Sequence, residues 1–402
     1  MRTEEDLVRA LREAAESAPQ RDLTAAITVR RRRRTKRRWM GAALAVAAVI
    51  GVAGTGTAIA RGVFSSGGEG GVASPVSESP GDAVASMETD VETPPREVGG
   101  KPIGQAWPKA LFTMPAKNAD GWRYRPITGI SPTEVLLNAE AAFEKAGAIE
   151  VYNSETGTFR KVTDVPATPG LKRYYPQDAA FDDKSIVWWV NADKVREIWT
   201  VPLAGGQARM VATFTREHMG IEAIAVKGEH IYWSELDGTV WRLPQAGGDP
   251  EKIADGLHLI SWPWAGDAAS REGGTSANQT KVVNLETGET RQVTASPDAK
   301  RLRCGPVWCL GDGLSQRLDG SDVKPFDGFL SGLSPYPVLD RYVFLGDTVR
   351  DLETGETITL PDNPGNWSGV GTSSAPSTIL YWGATKGDKP DAFRMVNLAA
   401  AQ

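Results

Sequence analysis

The side chains best suited to acid–base, nucleophilic or metal chemistry are scarce, since the 402 residues include 3 histidines and 2 cysteines. His218, His230 and His258 fall in separate predicted strands or loops, and the HExxH, GxSxG and phosphate-loop motifs do not occur. The sequence therefore predicts no catalytic residue, no cofactor and no metal site. It favours packing or surface positions for the histidines.

The two cysteines have a spacing that favours a disulfide. Cys304 and Cys309 flank the sequence Gly-Pro-Val-Trp in one predicted hairpin. A turn through Gly-Pro brings two Cα atoms within the range of about 4.4–6.8 Å that a disulfide needs. Thiols outside the membrane oxidise readily, whereas zinc ligation by two cysteines without a nearby histidine is unusual. We predict a disulfide that acts as a local staple, with a small entropic effect because its loop is short.

The carboxylates follow the turns of the chain. Asp182-Asp183, Asp237-Gly238 and Asp319-Gly320 lie in predicted turns, where an aspartate accepts hydrogen bonds from nearby backbone amides. The repeated DxDxDG spacing of a calcium loop is absent. These residues are therefore expected to shape turns.

Charge divides the chain into two parts. Residues 1–61 hold 13 Lys/Arg and 6 Asp/Glu, a net charge of +7. The other residues hold 32 Lys/Arg and 44 Asp/Glu, a net charge of −12. An acidic surface repels phosphate, so nucleic acid is not an expected partner. The basic part predicts a membrane interaction instead.

An uncharged segment, residues 39–60, predicts one membrane span. Its 22 residues, at about 1.5 Å per residue, match a hydrocarbon core of roughly 30 Å. Residues 30–38 before it are almost all Arg or Lys, which places residues 1–38 in the cytoplasm and the C-terminal part outside. Ala58-Ile59-Ala60 leaves a cleaved signal peptide open as the alternative. An uncleaved anchor is favoured because 38 residues precede the span.

Residues 3–17 of the basic cytoplasmic tail have the spacing of a short amphipathic helix. Thr3 and Asp6 fit a capping box, and Pro19 ends the pattern. A helix of this length is marginal in water unless its apolar side packs against something. It is either a solvated tail or a docking helix for a cytoplasmic partner. The apolar side consists of Leu7, Leu11, Ala14 and Ala15, bordered by Val8.

Residues 61–105 are rich in Gly, Ser and Pro and contain few large apolar side chains. Such a composition buries too little apolar area to offset the entropy of ordering. The sequence predicts a disordered linker here, between the span and residues 106–402.

Residues 106–402 repeat a strand, a glycine-containing turn and a second strand, most often after a short apolar strand. Six turn glycines recur at a period near 40 residues, which is typical of four-stranded β-propeller blades. We predict an all-β fold, a propeller of about seven blades, with six and eight as alternatives. The last unit shows three strands, and Ala110–Met114 is predicted to supply its fourth. The turn glycines are Gly157, Gly205, Gly247, Gly288, Gly320 and Gly355.

These repeats resemble bacterial extracytoplasmic propellers of the TolB-like and WD-repeat-like kind. The unit that starts at His230 is also similar to the tyrosine-tryptophan-threonine-aspartate propeller repeat, with Ser234 and Glu235 in place of Thr-Asp. The layout of tail, span, linker and propeller resembles that of transmembrane anti-sigma factors, although no Cys or His for their zinc motif precedes residue 62.

Together with this layout, the resemblance implies a membrane-anchored module that binds or senses a peptide, a glycan or an envelope protein on the open face of the propeller. It also implies regulation of a cytoplasmic partner, such as a sigma factor, through the N-terminal helix. An extracytoplasmic hydrolase or lyase and a purely structural scaffold are the alternatives. The enzyme would require carboxylates or histidines that converge at the mouth of the central channel.

Overall fold

The computed structural model describes residues 99–142, 145–168, 174–192, 195–215, 220–269, 277–326, 334–361, 367–384 and 390–401. All of them belong to the second of two units, Met1–Asp90 and Val91–Gln402. The predicted tail, its helix, the span and the linker as far as residue 98 lie outside these ranges. Within the ranges, no helix is long and apolar enough to cross a membrane.

The described ranges fold into 28 strands, one four-residue helix, α1 (Ile103–Ala106), and a 3-10 turn, Leu398–Ala400. In chain order, strands β1 to β28 are Lys101–Pro102, Leu111–Pro115, Arg123–Gly129, Glu134–Ala142, Lys145–Asn153, Thr158–Asp164, Pro176–Phe181, Ser185–Ala192, Val195–Pro202, Arg209–Thr215, Ile221–Lys227, His230–Glu235, Val240–Pro244, Glu251–Ala254, His258–Ser261, Trp264–Gly266, Lys281–Asn284, Thr290–Gln292, Arg303–Cys304, Trp308–Gly311, Leu314–Arg317, Lys324–Pro325, Tyr342–Leu345, Thr348–Asp351, Thr357–Thr359, Trp367–Val370, Ile379–Gly383 and Ala392–Asn397.

These strands form seven sheets of four strands each, which confirms the predicted propeller of seven blades. Blades one to five are β3–β6, β7–β10, β11–β14, β15–β18 and β19–β22. The first strands of neighbouring blades, such as β7, β11 and β15, contact one another and therefore line the centre of the ring. We call the face with the turns between first and second strands, and between third and fourth strands, the lower face. The upper face carries the other connections.

The ring closes as predicted, by an exchange of strands between the two ends of the domain. Strand β2 pairs antiparallel with β28 and completes blade seven, with Leu111 opposite Val396 and Pro115 opposite Ala392. Polar groups join this blade to blade one: buried Asn397 accepts a bond from the Thr378 hydroxyl at 3.0 Å and donates to the Ser131 carbonyl at 2.9 Å. Closure leaves the last blade without an unpaired third strand.

Blade six is built differently from the repeat that the sequence predicts. The segment before β23 contributes a single bridge, Val338 to Tyr342, at the position of a first strand. Strand β1 adds to the opposite edge, parallel to β25. The last residues of the predicted linker are therefore part of a folded segment, because Ile103 of α1 is fully buried. Such burial contributes about 1.5–3 kcal/mol.

The core lies between the blades. Trp188 and Trp199 of blade two stack at 6.3 Å and share one buried cluster with Leu136 and Ile149 of blade one. Large aromatic side chains suit this position because one residue fills the space between two sheets. All six turn glycines have positive φ, from 69° at Gly157 to 106° at Gly205.

Candidate functional site

A segment of blade seven, residues 371–377, crosses the central channel, and we call it the central strap. It follows the first strand of that blade and reaches the first strands of three others. The Thr372 amide donates to the Pro126 carbonyl in blade one, and the Ser374 amide donates to the Ala179 carbonyl in blade two, each at 3.0 Å. The Ile224 amide of blade three donates to the Ser374 hydroxyl at 2.6 Å. The strap thus joins blade seven to the first strands of blades one, two and three.

The strap satisfies backbone groups that a propeller leaves open. The inner edge of each first strand carries amides and carbonyls without a neighbouring strand, and such groups are costly when they are buried and unpaired. Gly371 permits the close approach, because a Cβ atom there would lie 2.1 Å from the Ile127 carbonyl oxygen. The central strap is therefore a half-buried, polar segment that is hydrogen-bonded into the propeller.

A buried carboxylate and a histidine meet beside the channel between blades three and four. Glu222 is the extra residue of a β-bulge in β11, since Ile221 and Ala223 pair with the consecutive residues Glu235 and Ser234. A bulge redirects a side chain. The Glu222 carboxylate lies 2.5 Å from Nδ1 of His258, the first residue of β15, with side-chain exposures of 0% and 10%.

Two more polar side chains lie at corresponding positions beside the channel. They are Arg303, the first residue of the first strand of blade five, and Tyr336, which precedes blade six. Arg303 donates to the Ala269 carbonyl at 2.8 Å and to the Ala277 carbonyl at 3.0 Å. The Tyr336 hydroxyl donates to the Ala268 carbonyl at 3.3 Å. Burial raises the pKa of Tyr336, and the charge of Glu222 raises it further. Tyr336 is therefore a neutral hydrogen-bond donor at physiological pH.

These four polar side chains, Glu222, His258, Arg303 and Tyr336, form their contacts within the protein. Each named group bonds to a neighbouring blade or to a loop of blade four, and the Glu222 side chain has no exposed surface. Within the described ranges, no group of three or more side chains is arranged to hold a metal ion. The geometry favours a role in joining the blades.

An open groove of about 740 Å³ lies on the outside of the ring, between blades one and two. Its walls are strand β6, which contributes Lys161 and Asp164, and the turn of blade two that contains Gln207. The Gly206 amide joins the two walls by donating to the Val162 carbonyl at 3.0 Å. Volumes of roughly 300–1,000 Å³ are typical of ligand sites, so the groove has the capacity of a binding site.

Trp199 lines this groove with the 8% of its surface that is exposed, and hydrogen bonds fix its position. Its indole N–H donates to the Glu197 carboxylate at 3.0 Å, and Tyr174 and Thr168 donate to the same carboxylate, each at 2.8 Å. Burial and the bond to Glu197 raise the pKa of Tyr174, which therefore remains a donor. The ion pair of Lys161 with Asp164 supplies charge at the rim.

The structure contains the predicted disulfide. Cys304 and Cys309 face each other on β19 and β20, with their Cα atoms 3.9 Å apart, a shorter separation than expected because they are direct cross-strand partners. The turn carboxylates also act as predicted: Asp182 accepts from the Ser185 amide at 2.7 Å and Asp237 from the Thr239 amide at 2.9 Å.

The other predicted residues divide into two groups. His230 is half-buried at the start of β12 and lies in a different blade from His258. His218 and the predicted docking residues Leu7, Val8, Leu11, Ala14 and Ala15 lie outside the described residues. Sequence reasoning missed Glu222 and the groove at Trp199. No local motif marks either of them, because each depends on contacts between blades.

No protein-family model matches the chain, and no curated protein matches it. Solved structures that are similar in fold include YCF48 bound to D1 peptide, at 11% identity and a TM-score of 0.43, covering 72% of this chain and 95% of that one. TolB from Acinetobacter baumannii matches at 15% identity and a TM-score of 0.33, covering 49% of this chain and 52% of that one. A chain of a nidogen/laminin complex matches at 17% identity and 0.35, with coverages of 56% and 91%. The likeness concerns the fold alone.

Proposed function

We propose that this chain is a single-pass membrane protein whose propeller lies outside the membrane and binds a short glycan in the groove between blades one and two. The groove is the observation that supports the proposed ligand binding. Its lining combines Trp199, an aromatic side chain held by hydrogen bonds, with the amide of Gln207 and the ion pair of Lys161 with Asp164. Apolar lining with a few placed polar groups is the usual composition of a ligand site.

The remaining parts of the proposal rest on the sequence. Residues 39–60 anchor the chain, and residues 1–38 stay in the cytoplasm because of the basic residues before the span. The helix of residues 3–17 docks a cytoplasmic regulatory protein such as a sigma factor, and the linker connects the anchor to the propeller.

The test measures binding of defined tri- and tetrasaccharides, and of short peptides as a contrast, to the full-length protein in nanodiscs. Lys161→Ala and Gln207→Ala are each expected to weaken glycan binding by roughly tenfold, the effect of one lost hydrogen bond or charge contact of about 1–1.5 kcal/mol. Lys252→Ala is the matched control, because Lys252 forms the same i,i+3 ion pair with Asp255 on blade three. Equal losses in all three variants would contradict the assignment, as would binding of peptides alone.

A further inference from the structure

Three of the exposed large apolar side chains in the described ranges lie on the lower face of blades five and six. They are Val307, Val323 and Leu339, with exposures of 38%, 45% and 54%. Val307 and Leu339 lie in the turns after the first strand positions of their blades, and Val323 precedes the fourth strand of blade five. We call these three residues the lower apolar patch.

The backbone that presents this patch has an unusual conformation. Among the described residues, four that are not glycine have positive φ, and three of these are Asp322 (52°), Leu339 (53°) and Asp340 (51°). A left-handed conformation costs roughly 1–2 kcal/mol for an L-residue. At Leu339 this conformation presents a leucine side chain to solvent. Strained backbone is concentrated at functional surfaces, and exposed apolar side chains that lie together mark interaction sites.

The position at which the described chain begins indicates what covers the lower apolar patch. Strand β1 runs parallel to β25, the fourth strand of blade six, and fourth strands run from the lower face to the upper face. Gly99 therefore lies at the lower end of the outer edge of blade six. The described chain therefore begins at the lower face of blade six, which also carries Leu339 of the lower apolar patch, and the apolar segment 39–60 precedes this point in the sequence.

We propose that the lower apolar patch rests on the lipid surface, so that the propeller sits on the membrane with its upper face directed outward. This inference rests on the proposed anchor. A tethered domain is held at a high effective concentration beside the bilayer, so contacts too weak to bind a free protein are sufficient. The contact is apolar in character, because residues 62–402 carry a net charge of −12 and gain nothing from anionic headgroups.

The test uses the full-length protein in phosphatidylcholine nanodiscs, with one environment-sensitive label on an engineered cysteine. Both native cysteines are engaged in the disulfide. Leu339→Cys probes the patch. Leu236→Cys is the matched control, a leucine of 50% exposure on the upper face of blade three. Spin-labelled lipid is expected to quench the label at position 339 several-fold more than the label at position 236.

Other results overturn the proposal in distinguishable ways. Equal quenching at the two positions, or stronger quenching at 236, contradicts the lipid contact while leaving the anchor intact. A label at 339 that is blue-shifted but not quenched assigns the patch to a protein surface, such as a second copy of this chain. A chain that elutes free of the nanodiscs contradicts both the contact and the proposed anchor.

Discussion

The carboxyl group of Asp340 joins two neighbouring blades on the lower face. It accepts bonds from the backbone amides of Trp308, at 3.2 Å, and Val307, within the disulfide hairpin of blade five. Gly305 is required beside it, because a Cβ atom there would lie 2.3 Å from the Asp340 oxygen. Burial raises the pKa of Asp340 to about 6 from 3.8, although the two amides and Arg317 lower it in part.

This raised pKa makes the stability of the propeller depend on pH. The folded state holds the proton more tightly than the unfolded state, so the favourable contribution is complete below pH 3.8 and is lost as the pH rises through about 6. Asp340→Asn keeps an oxygen acceptor and removes the ionisation. We expect this variant to gain stability relative to the parent between pH 4 and pH 7.5, measured by urea unfolding followed through tryptophan fluorescence.

Asp319→Asn is the contrasting variant. Hydrogen bonds from the Ser321 hydroxyl and amide lower the pKa of the exposed Asp319, so its contribution is present at neutral pH and is lost in acid. The two substitutions should therefore shift the pH profile of stability in opposite directions. A parallel shift would contradict the burial of Asp340 as the cause.

At the scale of elements, the central strap joins blade seven to the inner strands of blades one, two and three. Removing the Ser374 hydroxyl leaves the Ile224 amide without its acceptor at 2.6 Å. We expect Ser374→Ala to lower the free energy of unfolding by about 1–3 kcal/mol and to speed hydrogen exchange at the Ile224 amide. Both quantities are measured on the same sample.

The neighbouring serine provides the control. Ser373 meets blade two through a backbone bridge to Ala179, so Ser373→Ala should leave stability and exchange nearly unchanged. If Ile224 exchanges at the same rate in both variants, the hydroxyl of Ser374 does not support the inner strand as described.

The blades and the strap differ in how far the sequence predicts them. Six of the seven blades follow from local sequence, because each of the six turn glycines and its flanking strands form one repeated unit. The central strap cannot be predicted from local sequence. Residues 371–377 have the composition of an ordinary loop, and their partners, such as Ala179 and Ile224, are about 150–200 positions away in the sequence. The contact of Glu222 with His258 cannot be predicted from the sequence for the same reason. A bulge directs Glu222 toward a residue of the next blade, and contacts between blades leave no periodic signal in the sequence.

The whole molecule combines a closed ring with one proposed point of attachment. Strand exchange in blade seven and the added strand β1 in blade six place the start of the described chain at the lower rim. The groove in which we propose that a glycan binds lies on the outside of the ring, between blades one and two.

We propose that one membrane span separates residues 1–38 from the propeller. Two single-cysteine variants, Ser17→Cys and Ser77→Cys, test it in intact cells with a membrane-impermeant maleimide, because the native cysteines are bonded to each other. We predict labelling at position 77 in intact cells and labelling at position 17 only after lysis, both on a chain of full length. Labelling at 17 in intact cells, or a shortened chain that has lost position 17, would contradict the uncleaved anchor.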